Sequence, residues 1–158
     1  MKSKNTQDFD KTLQTPIGKL GVCFQKNTIT KCQWLLDNTS SDQINVKNID
    51  LIDEALDYYF DTAKILNKLE LCPSGTPFQL KVWSRLKAIP SGKTMTYGEL
   101  ARELNTSSRA IGQACRTNPL VLFIPCHRIV SKTGLGGYMG VQNKLSIKSW
   151  LLEHESRH

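Results

Sequence analysis

The chain has 158 residues, the length of one ordinary domain or two small ones, and its 39% hydrophobic content is enough to build a core. Intrinsic disorder is thereby excluded as the main description. The formal net charge of +7 is uneven: residues 1 to 77 hold 9 Lys and Arg against 10 Asp and Glu, residues 78 to 150 hold 11 against 2, and the last eight hold 1 against 2. A nearly neutral N-terminal half is thus joined to a basic C-terminal half, and such a basic segment points to a polyanionic partner.

The opening MKSKNTQDFD is polar, and the longest apolar stretch, Leu120 to Cys126, is interrupted by Pro125. Neither a secretory signal nor a membrane span is expected, and a cytoplasmic location follows as the expectation. The five cysteines, Cys23, Cys32, Cys72, Cys115 and Cys126, are odd in number and lack the CxxC spacings of a structural zinc site, so reduced thiols are expected and no metal.

In the N-terminal half Leu13, Leu20, Val22, Phe24, Ile29, Cys32 and Trp34 recur in short runs broken by Pro16-Ile17-Gly18 and Lys26-Asn27, which predicts a small antiparallel sheet. The polar stretch from Asp37 to Lys47 reads as a loop. Beyond it Ile49, Ile52, Leu56, Tyr59 and Phe60 fall at helical spacing, so one amphipathic helix should cover the sheet. Nothing here clusters His, Asp, Glu or Cys at catalytic spacing, and residues 1–73 are expected to form a structural α/β domain.

Cys72-Pro73-Ser74-Gly75-Thr76-Pro77 is the boundary, because paired prolines and a glycine continue neither a helix nor a central strand. A second domain over residues 76–158 begins with Thr76 as N-cap, Pro77 at the first helical position and an apolar stripe of Phe78, Val82, Trp83 and Leu86. That helix should stop near Ile89-Pro90-Ser91-Gly92. Two short helices follow, one opened by the capping box Thr96-Tyr97-Gly98-Glu99 and one capped by Ser107, with two or three residues between them. The pair has the outline of a helix-turn-helix, and Arg102, Arg109 and Arg116 favour DNA over a partnerless tri-helical core. The second helix opens with one long donor, Arg109, among small side chains, which suits phosphate and minor-groove contact better than sequence reading. Its affinity should fall with salt, with a slope of about −0.9 per phosphate neutralised.

Asn118-Pro119 ends the second helix, and the strand-like run from Leu120 to Ile124 delivers Pro125-Cys126-His127-Arg128. Of the five cysteines only Cys126 has a potential base and a fixed positive charge as chain neighbours, so the reading as a buried inert thiol fits the other four better than this one. An unperturbed cysteine of pKa ~8.5 is only ~3% thiolate at pH 7, so complete ionisation gains at most about 30-fold, roughly 2 kcal/mol. Most of any larger acceleration must come from orienting the substrate and assisting its leaving group.

PFQLKVW, IPSGKTMTYGELA, SSRAIGQACRTNPL, IPCHRIV, GGYMG and WLLEHE occur in the order and approximate spacing of the O6-alkylguanine-DNA alkyltransferases, which the C-terminal half therefore resembles throughout. TPIGKLGV resembles the start of that family's first domain, whereas residues 36 to 72 match only in general character. The resemblance implies an α/β fold, with a small N-terminal antiparallel sheet plus helix followed by a mainly helical domain carrying a winged-helix-like helix-turn-helix. It implies a single-turnover transfer of a methyl or small alkyl group from guanine O6, with thymine O4 a further candidate, to a protein cysteine.

By that resemblance Cys126 is the acceptor, His127 the base that takes its proton through a water, and Glu155 the carboxylate that orients the histidine. Asn118 braces the site, Tyr97 presses on the target phosphate and protonates the leaving guanine, and Arg109 fills the gap left by the flipped base. Gly98, Ala110 and Arg116 would lie along the DNA with Tyr97 and Arg109. The Cys126 and Ile129 carbonyls and the Tyr138-Met139 loop would line the guanine pocket. Physical logic agrees, since an alkyl group on guanine O6 lies inside the duplex and must be extruded before a thiolate attacks in line. The thioether formed has no visible group to cleave it, so one molecule should act once.

Met139 departs from the small residue common after the tyrosine, and Val141 to Ile147 is longer and less glycine-rich than the usual loop. Cys23 and Cys32 do not complete the zinc set of some relatives, so neither cofactor nor metal is expected. The partner expected is duplex DNA containing alkylated guanine, with no membrane, no obligate protein partner and a monomeric state. The alternatives are a non-catalytic alkyltransferase-like lesion binder, against which Cys126 argues, and a cysteine hydrolase or transcription factor. His154 and His158 read as surface residues.

Overall fold

In the computed structural model, which describes residues 9–26, 28–35, 49–65, 68–139 and 144–158, the apolar runs of the N-terminal half pair as antiparallel strands. Strand β1 (Lys11–Thr15) pairs with β2 (Gly18–Gln25), and β2 pairs with β3 (Thr28–Leu35). The register sets Leu13 opposite Leu20, Leu20 opposite Trp34 and Val22 opposite Cys32, so these alternate residues share one buried face. Gly21 is required where it stands, because a Cβ there would lie 2.5 Å from the Phe9 ring. Helix α1 (Ile49–Thr62) buries Ile52, Ala55, Leu56 and Tyr59, and a short β4 (Glu70–Leu71) runs parallel to the start of β3. The expected loop from Asp37 to Lys47 and the Asn27 turn position lie outside the described residues, as does the side chain of Ile49.

The C-terminal half opens as its caps dictate. Thr76 and Gln79 form a reciprocal capping box with Pro77 in the first turn of α2 (Pro77–Lys87), whose stripe buries Val82, Trp83 and Leu86. Phe78 is not part of that stripe: the first turn of α2 projects past the core and leaves it 37% exposed. A second capping box, Thr96 with Glu99, starts α3 (Tyr97–Glu103), and Ser107 caps α4 (Ser108–Arg116). Four residues separate the two helices rather than two or three. The Trp83 indole donates to the Ala114 carbonyl at 2.9 Å and ties α2 to α4. Two-residue strands β5 (Met95–Thr96) and β6 (Ile129–Val130) pair in parallel, and α5 (Leu145–Ser156) ends the chain's elements.

The strand-like run expected from Leu120 to Ile124 is instead a series of turns. Leu122 has φ +70, and Asn118 takes the Leu120 amide and the Ile124 carbonyl on its side chain, so the backbone cannot stay extended. All five residues are buried, which is why their apolar composition suited a strand equally well. The run docks on β3, with Cys32 donating to the Pro119 carbonyl at 2.7 Å and accepting from the Val121 amide at 3.1 Å. One continuous apolar core therefore runs from Leu13 to Leu151 across both halves of the α/β fold. Among the described residues no helix is long and apolar enough to cross a membrane.

Candidate active site

Cys126 lies at the start of a single 3-10 turn (Cys126–Arg128) that follows Pro125, and it is 4% exposed. The buried Asn118 amide holds this turn from behind: its Nδ2 donates to the Ile124 carbonyl at 2.8 Å and reaches the Cys126 sulfur at 3.2 Å, while its Oδ1 accepts from the Leu120 amide at 2.9 Å. Burial pushes the Cys126 thiol up to about 11, against the opposing pull of the Asn118 hydrogen bond and the Lys148 charge. On the other side the sulfur contacts Met139 Sδ at 3.7 Å.

His127 is fully buried, and its Nε2 lies 2.7 Å from Glu155 Oε1. Glu155, on α5, also accepts from Arg128 Nε at 2.9 Å, Arg128 Nη2 at 2.9 Å and the Tyr59 hydroxyl at 2.8 Å. Burial alone would raise the Glu155 pKa, but the hydrogen bonds from His127 and Arg128 outweigh it and hold the carboxyl well below its usual range. An ionised carboxylate only accepts, so His127 Nε2 must carry the hydrogen and Nδ1 the lone pair. Nδ1 is buried with no hydrogen-bond partner among the described residues. Burial also lowers the His127 pKa below 6.5, more than Glu155 raises it, so the ring is neutral and basic at physiological pH. Asn118, Cys126, His127 and Glu155 are thus gathered in one place.

Tyr97, Arg109, Gly112, Gln113, Cys115, Arg116, Cys126, Gly137, Tyr138 and Met139 line a cavity of about 730 Å³. The Tyr97 hydroxyl makes a long contact to the Gly137 carbonyl at 3.4 Å, and burial raises its pKa to about 12, so the phenol keeps its proton. Tyr138 is buried and accepts from the Trp34 indole at 3.0 Å. Ile129 is buried too, but it does not line this cavity, and its carbonyl accepts from Lys148 Nζ at 2.6 Å. The Cys126 carbonyl accepts the Ile129 amide. Of the four residues expected around the guanine, Cys126, Tyr138 and Met139 line this cavity and Ile129 does not, and the Cys126 and Ile129 carbonyls each accept one hydrogen bond from within the protein. Of the loop read as unusually long, Val141 to Asn143 fall outside the described residues, and Leu145 to Ile147 belong to α5 instead.

Arg109 and Arg116 are exposed at this cavity, and Ala110 and Gly98 lie half-buried on α4 and α3. Tyr97, Gly98, Arg102, Arg109 and Lys132 border an adjoining open groove. The basic excess of the C-terminal half is smaller at the surface than its count suggests, because Arg128 and Lys148 are buried and Arg85 pairs with Glu103. Among the described residues no three His, Cys, Asp or Glu side chains could share a metal ion.

Two readings of neighbouring residues require correction. Arg128 does not serve the thiol as its adjacent positive charge: the turn directs it to Glu155 and to the Ile89 carbonyl at 2.6 Å. The cation that acts on the thiol is Lys148 of α5, fully buried, donating to the Ile129 and Gly137 carbonyls at 2.6 and 2.8 Å, and pushed by burial down to about 8. His154 is only half-exposed, since it stacks on Trp150 at 4.9 Å and donates to the Tyr59 carbonyl at 3.0 Å, whereas His158 is exposed. Tyr59, Trp34 and Lys148 are the site residues that sequence reasoning missed, and Arg128 was assigned the wrong partner. The apolar spacing of α1 marked Tyr59 as core, and the lysine three positions before Leu151 was the only local sign of Lys148, an ionisable residue on a core-facing helix.

The family model "6-O-methylguanine DNA methyltransferase, DNA binding domain" matches residues 77–157. The methylated-DNA–protein-cysteine methyltransferase of Shigella flexneri is 33% identical over 165 residues, covering 93% of this chain and 95% of that protein. That of Salmonella typhimurium is 42% identical over 108 residues, a stretch that spans 66% of this chain but only 61% of the relative. A Mycobacterium tuberculosis OGT solved in complex with DNA superimposes with a TM-score of 0.79 at 31% identity, covering 92% of this chain and 91% of that one. With a family model over half its length and a relative matched almost end to end, the chain belongs to the 6-O-methylguanine DNA methyltransferase family.

Proposed function

We propose that this protein repairs DNA by direct reversal, moving a methyl or other small alkyl group from O6 of guanine in duplex DNA to Cys126, once per molecule. The observation that carries the reading is a buried thiol lining a cavity, with a neutral histidine held on an ionised carboxylate beside it. In the step proposed, the sulfur–carbon bond forms as the carbon–O6 bond breaks. The Cys126 proton passes to His127 Nδ1 by way of a water, and Tyr97 returns a proton to the departing guanine. Glu155 holds His127 in the tautomer that can accept, and Asn118 fixes the turn that carries the sulfur. Solvent restores the proton balance, and the thioether remains.

The target base must leave the duplex to reach this thiol. In this reading α3 and α4 act as a winged-helix-like helix-turn-helix, Arg109 enters the stack, and Tyr97, Gly98, Ala110 and Arg116 follow the backbone, while Tyr138 and Met139 hold the guanine. Residues 76–158 would be the DNA-binding and acceptor part and residues 1–73 its structural support, in a cytoplasmic monomer. Thymine O4 is a second position to assay. Incubation with DNA carrying labelled methyl on guanine O6 should label the protein to one equivalent, and Cys126→Ala should take none. Label on the alanine variant would overturn the assignment, and tight lesion binding with no added methyl mass would turn it towards a non-catalytic binder.

A further inference from the structure

Tyr59 belongs to the half of the chain with no catalytic pattern, yet its side chain ends on the catalytic carboxylate. It is fully buried in α1, and its hydroxyl donates at 2.8 Å to Glu155 Oε1, the oxygen that His127 Nε2 and Arg128 Nη2 also use. Its backbone is held from the same helix, since the Tyr59 carbonyl accepts from His154 Nε2 and the two rings meet edge to face at 5.7 Å. Helices α1 and α5 are thus joined through one residue at both its side chain and its main chain.

We infer that Tyr59 is a positioning residue for alkyl transfer, through which the N-terminal half sets the orientation and basicity of His127. This rests on the transfer reading above. Three donors converge on one oxygen of Glu155, so each limits how strongly that oxygen can attract the others. The phenol draws charge from the carboxylate on one side as the imidazole Nε2–H does on the other. A carboxylate shared in this way still fixes the ring but stabilises its protonated form less, and the ring stays neutral at the pH where it must accept a proton. Among the described residues the charged and titratable groups that face the pair are Arg128 from the 3-10 turn, Lys148 from α5, Tyr59 from α1 and Tyr138 from the pocket wall. Of these, Tyr59 is the hydrogen-bond donor that comes from the N-terminal half.

The test is Tyr59→Phe in the full chain, which keeps the ring and removes only the donor. Single-turnover transfer from O6-methylguanine DNA is followed against pH and DNA concentration. The maximal rate should fall about 3- to 10-fold with the DNA dissociation constant unchanged, and the acid limb of the pH profile should move up by several tenths of a pH unit. Nitrogen-15 NMR of the imidazole should show the same upward shift for His127 without any DNA present. Replacing Tyr59 with 3-fluorotyrosine, a stronger donor of nearly the same shape, should move both the other way and covers the case in which the phenylalanine variant fails to fold. Wild-type protein that transfers nothing would refute the function, not this inference. Active wild-type with an unmoved acid limb and His127 titration in these variants would overturn the inference and leave Tyr59 as ordinary core.

Discussion

Glu155→Gln is the sharpest perturbation of this site, because one side chain organises Arg128, His127 and Tyr59 through four short hydrogen bonds. Glutamine keeps the shape and one acceptor but turns the other oxygen into an NH2 group. Arg128 donates to both oxygens, so in either amide orientation a donor faces a donor, and a guanidinium only 6% exposed loses its countercharge. Breaking a buried ion pair by removing one partner costs about 3–5 kcal/mol, a large part of the roughly 5–15 kcal/mol by which a domain is stable. With a urea m-value of about 2 kcal/mol/M, the unfolding midpoint at pH 7.5 should fall by roughly 1.5–2.5 M. Transfer should be lost as well, since His127 is released from its tautomer. The pH dependence has a definite sign. Glu155 is held below its ordinary 4.5, so its stabilisation is complete above that pH and is lost as the pH falls towards its folded-state value. His127 is depressed below 6.5, so the unfolded chain takes up a proton that the folded one refuses, and stability begins to fall below pH 6.5. The variant should lose the carboxylate part of this acid sensitivity. A midpoint shift below about 0.5 M, or an acid limb identical to wild type, would refute the assignment of Glu155 as the keystone of a strongly coupled network.

Two further substitutions test the wall of the cavity. Gly136 has φ +72, and a Cβ there would stand 2.9 Å from Tyr97 Cε2 and 3.2 Å from the Ser131 amide, so Gly136→Ala must displace the tyrosine or the loop. Transfer should fall about tenfold for a loss of about 1–2 kcal/mol in stability, and a wild-type single-turnover rate would count against Tyr97 acting at this position. Lys148→Met keeps the length of the side chain but leaves the Ile129 and Gly137 carbonyls without their donor, at about 1–3 kcal/mol. Weaker lesion binding and at least tenfold slower transfer are expected in a DNA titration followed by quench, and unchanged values for both would show that Lys148 is only a core residue.

The legible parts of this chain were the local ones. Thr76 with Gln79, Thr96 with Glu99, and Ser107 announce their helices because a cap and its partner lie three residues apart. The tetrapeptide from Pro125 to Arg128 likewise carries the proposed nucleophile and base side by side. What could not be read lies in partners far apart along the chain: Tyr59 meets Glu155 across 96 residues and Trp34 meets Tyr138 across 104. A tyrosine at a core position of an amphipathic helix has the same spacing whether or not its hydroxyl reaches a buried carboxylate. Arg128 misled for a related reason, since adjacency in sequence suggested adjacency to the thiol, and a 3-10 turn sends successive side chains in different directions. The run from Leu120 to Ile124 misled because complete burial removes the periodicity that tells strand from turn.

The thiol itself poses the question of when it is ionised. With Cys126 pushed up to about 11, the thiolate fraction at pH 7.5 is only about 3 in 10,000, some 300-fold below that of an ordinary thiol of pKa ~8.5. The sulfur therefore cannot rest as a thiolate awaiting a substrate, and its proton must leave within the transfer step, to a base already neutral. His127 meets that requirement because its pKa lies below 6.5. Two reactions of one atom should then follow different pH laws. Alkylation of Cys126 by iodoacetamide, read from the mass of its peptide, uses only pre-formed thiolate and should rise about tenfold per pH unit from 7 to 10. Transfer from lesion DNA should rise only along the acid limb of His127 and then stay level until Lys148 begins to lose its charge near pH 8. In His127→Gln the residual transfer should acquire the steep slope of the iodoacetamide reaction. Parallel profiles for the two reactions in the wild-type protein would mean that the proton leaves before the base arrives, and that His127 is not its acceptor.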